Sequence, residues 1–116
     1  MQAMVRYSVE MAKVFIDSVG EVEFKADVNI LKKTNHLDIL IPEVRSLNLS
    51  NAIILDAGCG TGIISNEVWE NRYTTIGMDI SRRHIKIGKR IFRNVLFVLG
   101  DLHHIPFRDN SLDTII

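Results

Sequence analysis

The 116-residue chain has a single cysteine, Cys59, so no intrachain disulfide can brace it. That agrees with a reducing compartment. Neither sign of charge is in surplus, because fourteen basic residues stand against fourteen acidic ones. The total charge therefore gives no reason to expect a nucleic-acid or membrane partner. No apolar run approaches the ~20 residues that a membrane-crossing helix requires. The opening "MQAMVRYSVEMAKVF" lacks the unbroken apolar core and cleavage site of a signal peptide. Internal repeats, low-complexity tracts and linkers are missing too, leaving no domain boundary to draw. What remains is the expectation of one cytoplasmic globular domain, with 47% hydrophobic residues to build its core.

Hydrophobic patterning supplies the elements. Residues 4–19 place Val5, Ala12, Phe15, Ile16 and Val19 roughly on one face, predicting a helix that Gly20 can stop. Residues 21–30, "EVEFKADVNI", alternate apolar and polar and predict an extended segment with one covered face. Pro42 suits the first turn of a short helix reaching about Leu47, with Val44 and Leu47 inward. Residues 1–51 thus read as an N-terminal helical and extended segment packing on the core built by 52–116. From Ala52 the chain changes character. "AIILDA" is a buried-strand run, "GIISNEVWENR" is helix-like, and "TTIGMD" is a second strand. "SRRHIKIGKRIFRN" is a second helix with Ser81 as its cap, "VLFVLG" a third strand, and "LDTII" the start of a fourth. Strands alternating with helices predict an α/β fold, a doubly wound parallel sheet of the Rossmann-like kind.

Residues 54–62 read "ILDAGCGTG" and put three glycines directly after the first strand. In an open parallel sheet, ligands bind beyond the carboxyl ends of the strands, and that is where this loop falls. Gly58, Gly60 and Gly62 permit a tight turn and keep side chains away from a ligand. The N–H groups opening the next helix would face something negative. Spacing narrows the choice. The dinucleotide fingerprint needs a small residue where this chain has Ile63, and no Gly-Lys-Ser/Thr comes next as in a nucleoside-triphosphate loop. Asp79 closes the second strand, where a carboxylate can accept both hydroxyls of a ribose. The competing reading is a turn aspartate capping the next helix.

These residues resemble a known family. "ILDAGCGTG" is similar to motif I of class I S-adenosylmethionine-dependent methyltransferases, and "TTIGMDIS" to the acidic strand end after it. "VLFVLGDLHHIPFRDNSLDTII" resembles the next motif and the start of strand four. The pattern is that of the subgroup (type 11-like) acting on quinones, sterols and other small metabolites. The resemblance covers 52–116 closely and implies a cofactor, S-adenosyl-L-methionine, with a small-molecule methyl acceptor. Gly58, Cys59, Gly60 and Gly62 would lie along its methionine end, and Asp56 would help hold the ammonium or else tie down the loop backbone. Asp79 would take the ribose hydroxyls, with Ile80 packed on the adenine. Asp101 would accept from the adenine amino group while the Leu102 N–H donates to a ring nitrogen. No catalytic residue is assigned and no metal is expected.

The family fold has seven strands in the order 3-2-1-4-5-7-6, and this chain supplies the first four. That leaves open a fragment of a longer enzyme, a natural truncation, or a half-domain completed by a partner. An uncovered strand-four edge would invite self-association or a partner chain. A non-catalytic, methyltransferase-like binding module is the alternative function. Other features read more plainly. Arg82, Lys86, Lys89 and Arg93 form a positive stripe at helical spacing, better explained as a solvated outer face than as a nucleic-acid contact. His103 and His104 read as loop residues, and Cys59 as the small filler of a snug loop.

Overall fold

A computed structural model of the chain describes residues 36–116. The helix expected over 4–19 and the extended segment over 21–30 lie outside the described residues. Among the described residues, three helices and four strands run in order: α1 (His36–Ser46), β1 (Ala52–Ala57), α2 (Ile63–Val68), β2 (Tyr73–Asp79), α3 (Arg82–Ile91), β3 (Val95–Leu99) and β4 (Thr114–Ile115).

The strands form one parallel sheet in the order β3-β2-β1-β4. The parallel α/β sheet is as expected, with β1 between β2 and β4. Parallel strands cannot be joined by tight turns, so α2 and α3 serve as the crossovers. β1 is apolar from Ala52 to Leu55 because both of its faces are covered. Ile54 enters a core with Ile63, Val68, Ile85, Ile91, Phe92, Val95 and Phe97. Its neighbour Leu55 points the other way, into a smaller cluster with Ile76 and Met78. All the buried apolar side chains of the helices lie in the first of these two clusters, so the described helices cover one face of the sheet. Burying one such Leu or Ile is worth about 2 kcal/mol, so losing either face of β1 would cost several.

α1 corrects the sequence reading. It begins at His36, which places Pro42 inside the helix instead of in its first turn. Leu37, Ile41 and Val44 recur at helical spacing and are buried, whereas Pro42 is on the exposed side. The proline forfeits one backbone hydrogen bond, and the apolar face of the helix outweighs that loss. Leu47, expected inward, is beyond the helix and 51% exposed.

α2 also stops sooner than its pattern suggests. Trp69 leaves helical geometry (ψ 137°), ending the helix at Val68. The next turn is fixed from outside. Arg45 of α1 donates to the Val68 carbonyl at 3.2 Å and pairs with Glu70 at 2.7 Å, and Glu70 also accepts from Arg72 at 2.7 Å. Arg45 thus satisfies a helix-end carbonyl that would otherwise lack a partner.

α3 begins as expected, with the Ser81 hydroxyl accepting the His84 N–H at 3.2 Å. Its buried side is Ile85, Ile87, Gly88 and Ile91, while Arg82, Arg83, Lys86, Lys89 and Arg90 are exposed. The basic residues therefore occupy the outer face. β4 is short, and Asp113 extends its pairing with β1. The Asp113 N–H donates to the Ile53 carbonyl at 2.9 Å, and its carboxylate accepts the Ile53 N–H at 2.7 Å.

Candidate functional site

Three strand ends converge on one cavity of about 420 Å³. It is lined by Gly58 after β1, by Asp79 and Ile80 at the end of β2, and by Gly100, Asp101, Leu102 and His103 after β3. The placement is the one expected of a ligand crevice in an open parallel sheet.

The glycine loop is fastened to β2 before any ligand is considered. The N–H groups of Gly58 and Cys59 both donate to the Met78 carbonyl, at 2.8 and 2.9 Å. The Gly60 N–H donates to Asp79 Oδ2 at 2.9 Å. Gly58 has φ 79°, a conformation that a side chain would strain, and its bare α-carbon faces Leu102 across the cavity.

Asp79 does two jobs at once. Oδ2 accepts from Gly60, and Oδ1 accepts the Ser81 N–H at 2.8 Å. The carboxylate therefore ties the loop to the start of α3, as the helix-capping reading requires. Each oxygen accepts one hydrogen bond and has a second lone pair toward the cavity wall, with the His84 ring Nδ1 beyond hydrogen-bond distance at 3.8 Å from Oδ1. Negative charge at this helix start also offsets Arg82 and Arg83 in the first turn of α3.

Asp101 is used differently. Its Oδ1 accepts both the backbone N–H of His103 and the ring Nδ1–H of the same residue, each at 2.9 Å. These donors hold its carboxyl below the usual aspartate range. The Gly100 N–H donates to the Asp79 carbonyl at 3.0 Å, which fixes the end of β3 against the end of β2. Ile80 and Leu102 stand beside the two aspartates as apolar wall, 72% and 49% exposed.

The "Methyltransferase domain" family model matches residues 54–116, more than half of the chain. The chain belongs to this methyltransferase domain family. It is 27% identical over 104 residues to a demethylmenaquinone methyltransferase of Paenarthrobacter aurescens, covering 90% of this chain and 41% of that protein. A demethylmenaquinone methyltransferase of Corynebacterium kroppenstedtii is 31% identical over 107 residues, with 90% and 44% covered. Among solved structures, a TehB-like S-adenosylmethionine-dependent methyltransferase from Corynebacterium glutamicum superposes with a TM-score of 0.61 at 26% identity. That superposition covers 84% of this chain and 53% of that one. The chain thus spans less than half the length of these two curated relatives.

Within this methyltransferase domain, the remaining motif residues turn away from the cavity lining. Asp56 is buried beneath the loop and accepts the Ser65 hydroxyl at 2.6 Å. Burial raises its pKa to about 6, against the Ser65 hydroxyl and N–H, with the nearby Asp79 charge adding to the rise. The negative group met by the opening of α2 is therefore this internal carboxylate. Cys59 packs against Gly77 of β2, and its thiol donates to the Gly60 carbonyl at 3.4 Å. Gly62 borders the core. A Cβ there would sit 2.5 Å from the Phe97 ring, and its N–H already donates to the Cys59 carbonyl at 3.0 Å.

Sequence reasoning missed what surrounds Phe97. An added Cβ at Gly88 of α3 would also lie 2.5 Å from this ring, and one at Gly77 would lie 3.2 Å away. One aromatic ring thus fills a slot left by glycines of the loop, β2 and α3. The visible signal was glycine inside a strand and inside a helix, which often marks close approach of another group. Ser65 and His103 were also missed as partners of Asp56 and Asp101.

Proposed function

We propose that this chain is the S-adenosylmethionine-binding portion of a methyltransferase acting on a small-molecule acceptor. The observation that carries the reading is the unequal use of the two aspartates at one cavity. Asp79 keeps one acceptor site on each oxygen, which suits the vicinal hydroxyls of a ribose. Asp101 has its Oδ1 occupied twice and keeps Oδ2, which suits a single amino donor. Ile80 and Leu102 flank them as surfaces for a flat base, and bare Gly58 leaves room for the rest of the molecule. These acceptors and apolar surfaces fit an adenosyl amino acid.

The bound sulfonium would supply an activated methyl group. The chain's own work is to bind and orient: Asp79 and Asp101 fix the adenosine, and the loop at Gly58 and Gly60 sets where the amino-acid end can lie. We assign no general base. Asp56 is taken as the carboxylate that holds the loop from below, in contact with Ser65, with any effect on a ligand ammonium indirect. In this reading residues 52–116 form the binding half, with α1 packed on it. β4 is an edge strand among the described residues, with Ile115 56% exposed, and it would accept a further strand or a partner chain there. The named relatives act on demethylmenaquinone, and an acceptor of that small-molecule class is part of the proposal.

Calorimetric titration tests it. S-adenosylhomocysteine should bind and NAD should not compete. Asp79→Asn, which keeps one acceptor oxygen and loses the other, should weaken binding by about tenfold or more. Unchanged affinity in that variant would remove Asp79 from the site.

A further inference from the structure

The loop after β3 holds a polar arrangement of its own. Asp101 Oδ1 receives two hydrogen bonds from one residue, the backbone N–H and the ring Nδ1 of His103, both at 2.9 Å. An ionised carboxylate only accepts, so Nδ1 must carry the proton, and the outer nitrogen Nε2 turns away from the acid. Two donors use up the lone pairs of Oδ1. Oδ2 has no donor within hydrogen-bond distance among the described residues, and the His104 ring Nδ1 stands 3.8 Å from it. The His104 N–H closes the turn instead, onto the Asp101 carbonyl at 3.0 Å. His103 and Asp101 both line the cavity.

We propose that His103 is a positioning residue for purine recognition. By saturating one oxygen of Asp101 and fixing the plane of the carboxylate, it presents the other oxygen to an exocyclic amino group and sets a preference for a 6-amino over a 6-oxo purine. The inference rests on the adenosyl reading of the cavity. Its physical basis is asymmetry. A freely rotating carboxylate could swing aside and admit a bridging water, which can donate to a 6-oxo group. One clamped through the far oxygen keeps its free acceptor facing the ring, and an acceptor facing a carbonyl oxygen is repulsive.

The test compares S-adenosylhomocysteine with S-inosylhomocysteine, titrated calorimetrically into the wild-type chain and two variants. His103→Asn keeps a side-chain donor near the place of Nδ1, and His103→Ala removes it. The His103 side chain is 87% exposed, so neither change should disturb the fold, and far-ultraviolet circular dichroism verifies this. The wild type should prefer the adenosyl compound. His103→Ala should lower the ratio of the two affinities by about three- to fivefold, the scale of one exposed charged contact, and His103→Asn should restore most of it. A structural role would weaken both ligands equally and leave the ratio alone; that outcome, or an unchanged ratio, overturns the proposal. Binding of neither ligand by the wild type would overturn the adenosyl reading itself, and the proposal with it.

Discussion

The Ser65 hydroxyl donates to Asp56 across 2.6 Å, with both side chains buried under the glycine loop. One good hydrogen bond does not replace the hydration a carboxylate gives up on burial, and Asp56 has its pKa raised from 3.8 to about 6. The folded chain therefore holds this proton more firmly than the unfolded chain does. Its contribution to stability is fully present below about pH 4 and is lost as pH rises through about 6. Asp56→Asn keeps an acceptor for Ser65 and removes the charge. Urea unfolding from pH 4 to 7 should show the wild type losing about 2–3 kcal/mol relative to the variant. Parallel pH profiles for the two proteins would contradict this.

Gly88 and Phe97 supply a second test. Alanine normally favours a helix over glycine by about 1 kcal/mol. At position 88, however, a methyl group would lie 2.5 Å from the Phe97 ring and 2.9 Å from the Thr61 carbonyl. Gly88→Ala should be net destabilising by about 1–3 kcal/mol, and the penalty should shrink in a Phe97→Leu background. The Thr61 carbonyl is backbone and stays in place, so the rescue should be partial. Additive effects in the double-mutant cycle would show that the ring is not the obstacle.

Cys59 should be a poor nucleophile. Burial raises its thiol pKa, and the charges of Asp56 and Asp79 add to the rise. Modification by a disulfide reagent at neutral pH should be slow in the folded chain and fast in urea. Rapid labelling of the native protein would count against this loop geometry.

Much of the fold is legible in local pattern. The unbroken apolar run at 52–55 indicates a strand covered on both faces, Ser81 marks the start of α3, and alternation of strand and helix implies a parallel sheet. Each of these depends on nearest neighbours along the chain. Errors arise where a distant residue decides the matter. Arg45, from another helix, holds the turn after α2. Pro42 is accommodated because its helix buries Leu37, Ile41 and Val44, a face visible only once the neighbouring helix is in place. In the site, Asp79 and Asp101 are legible because strand ends are where parallel sheets gather ligands. The second role of Gly62 is not, since Phe97 meets it only after two crossovers. The part played by His103 is hidden as well. Adjacent histidines make a poor metal site, and a histidine that orients a neighbouring acid has no spacing signature.

The three N–H groups that Gly58, Cys59 and Gly60 give to the end of β2 bear on how tightly a molecule can be held there. Those residues gave up their conformational freedom when the chain folded, so association need not restrain them a second time. Affinity at this rim should follow the match of donors and acceptors, with little entropy spent on shaping the loop.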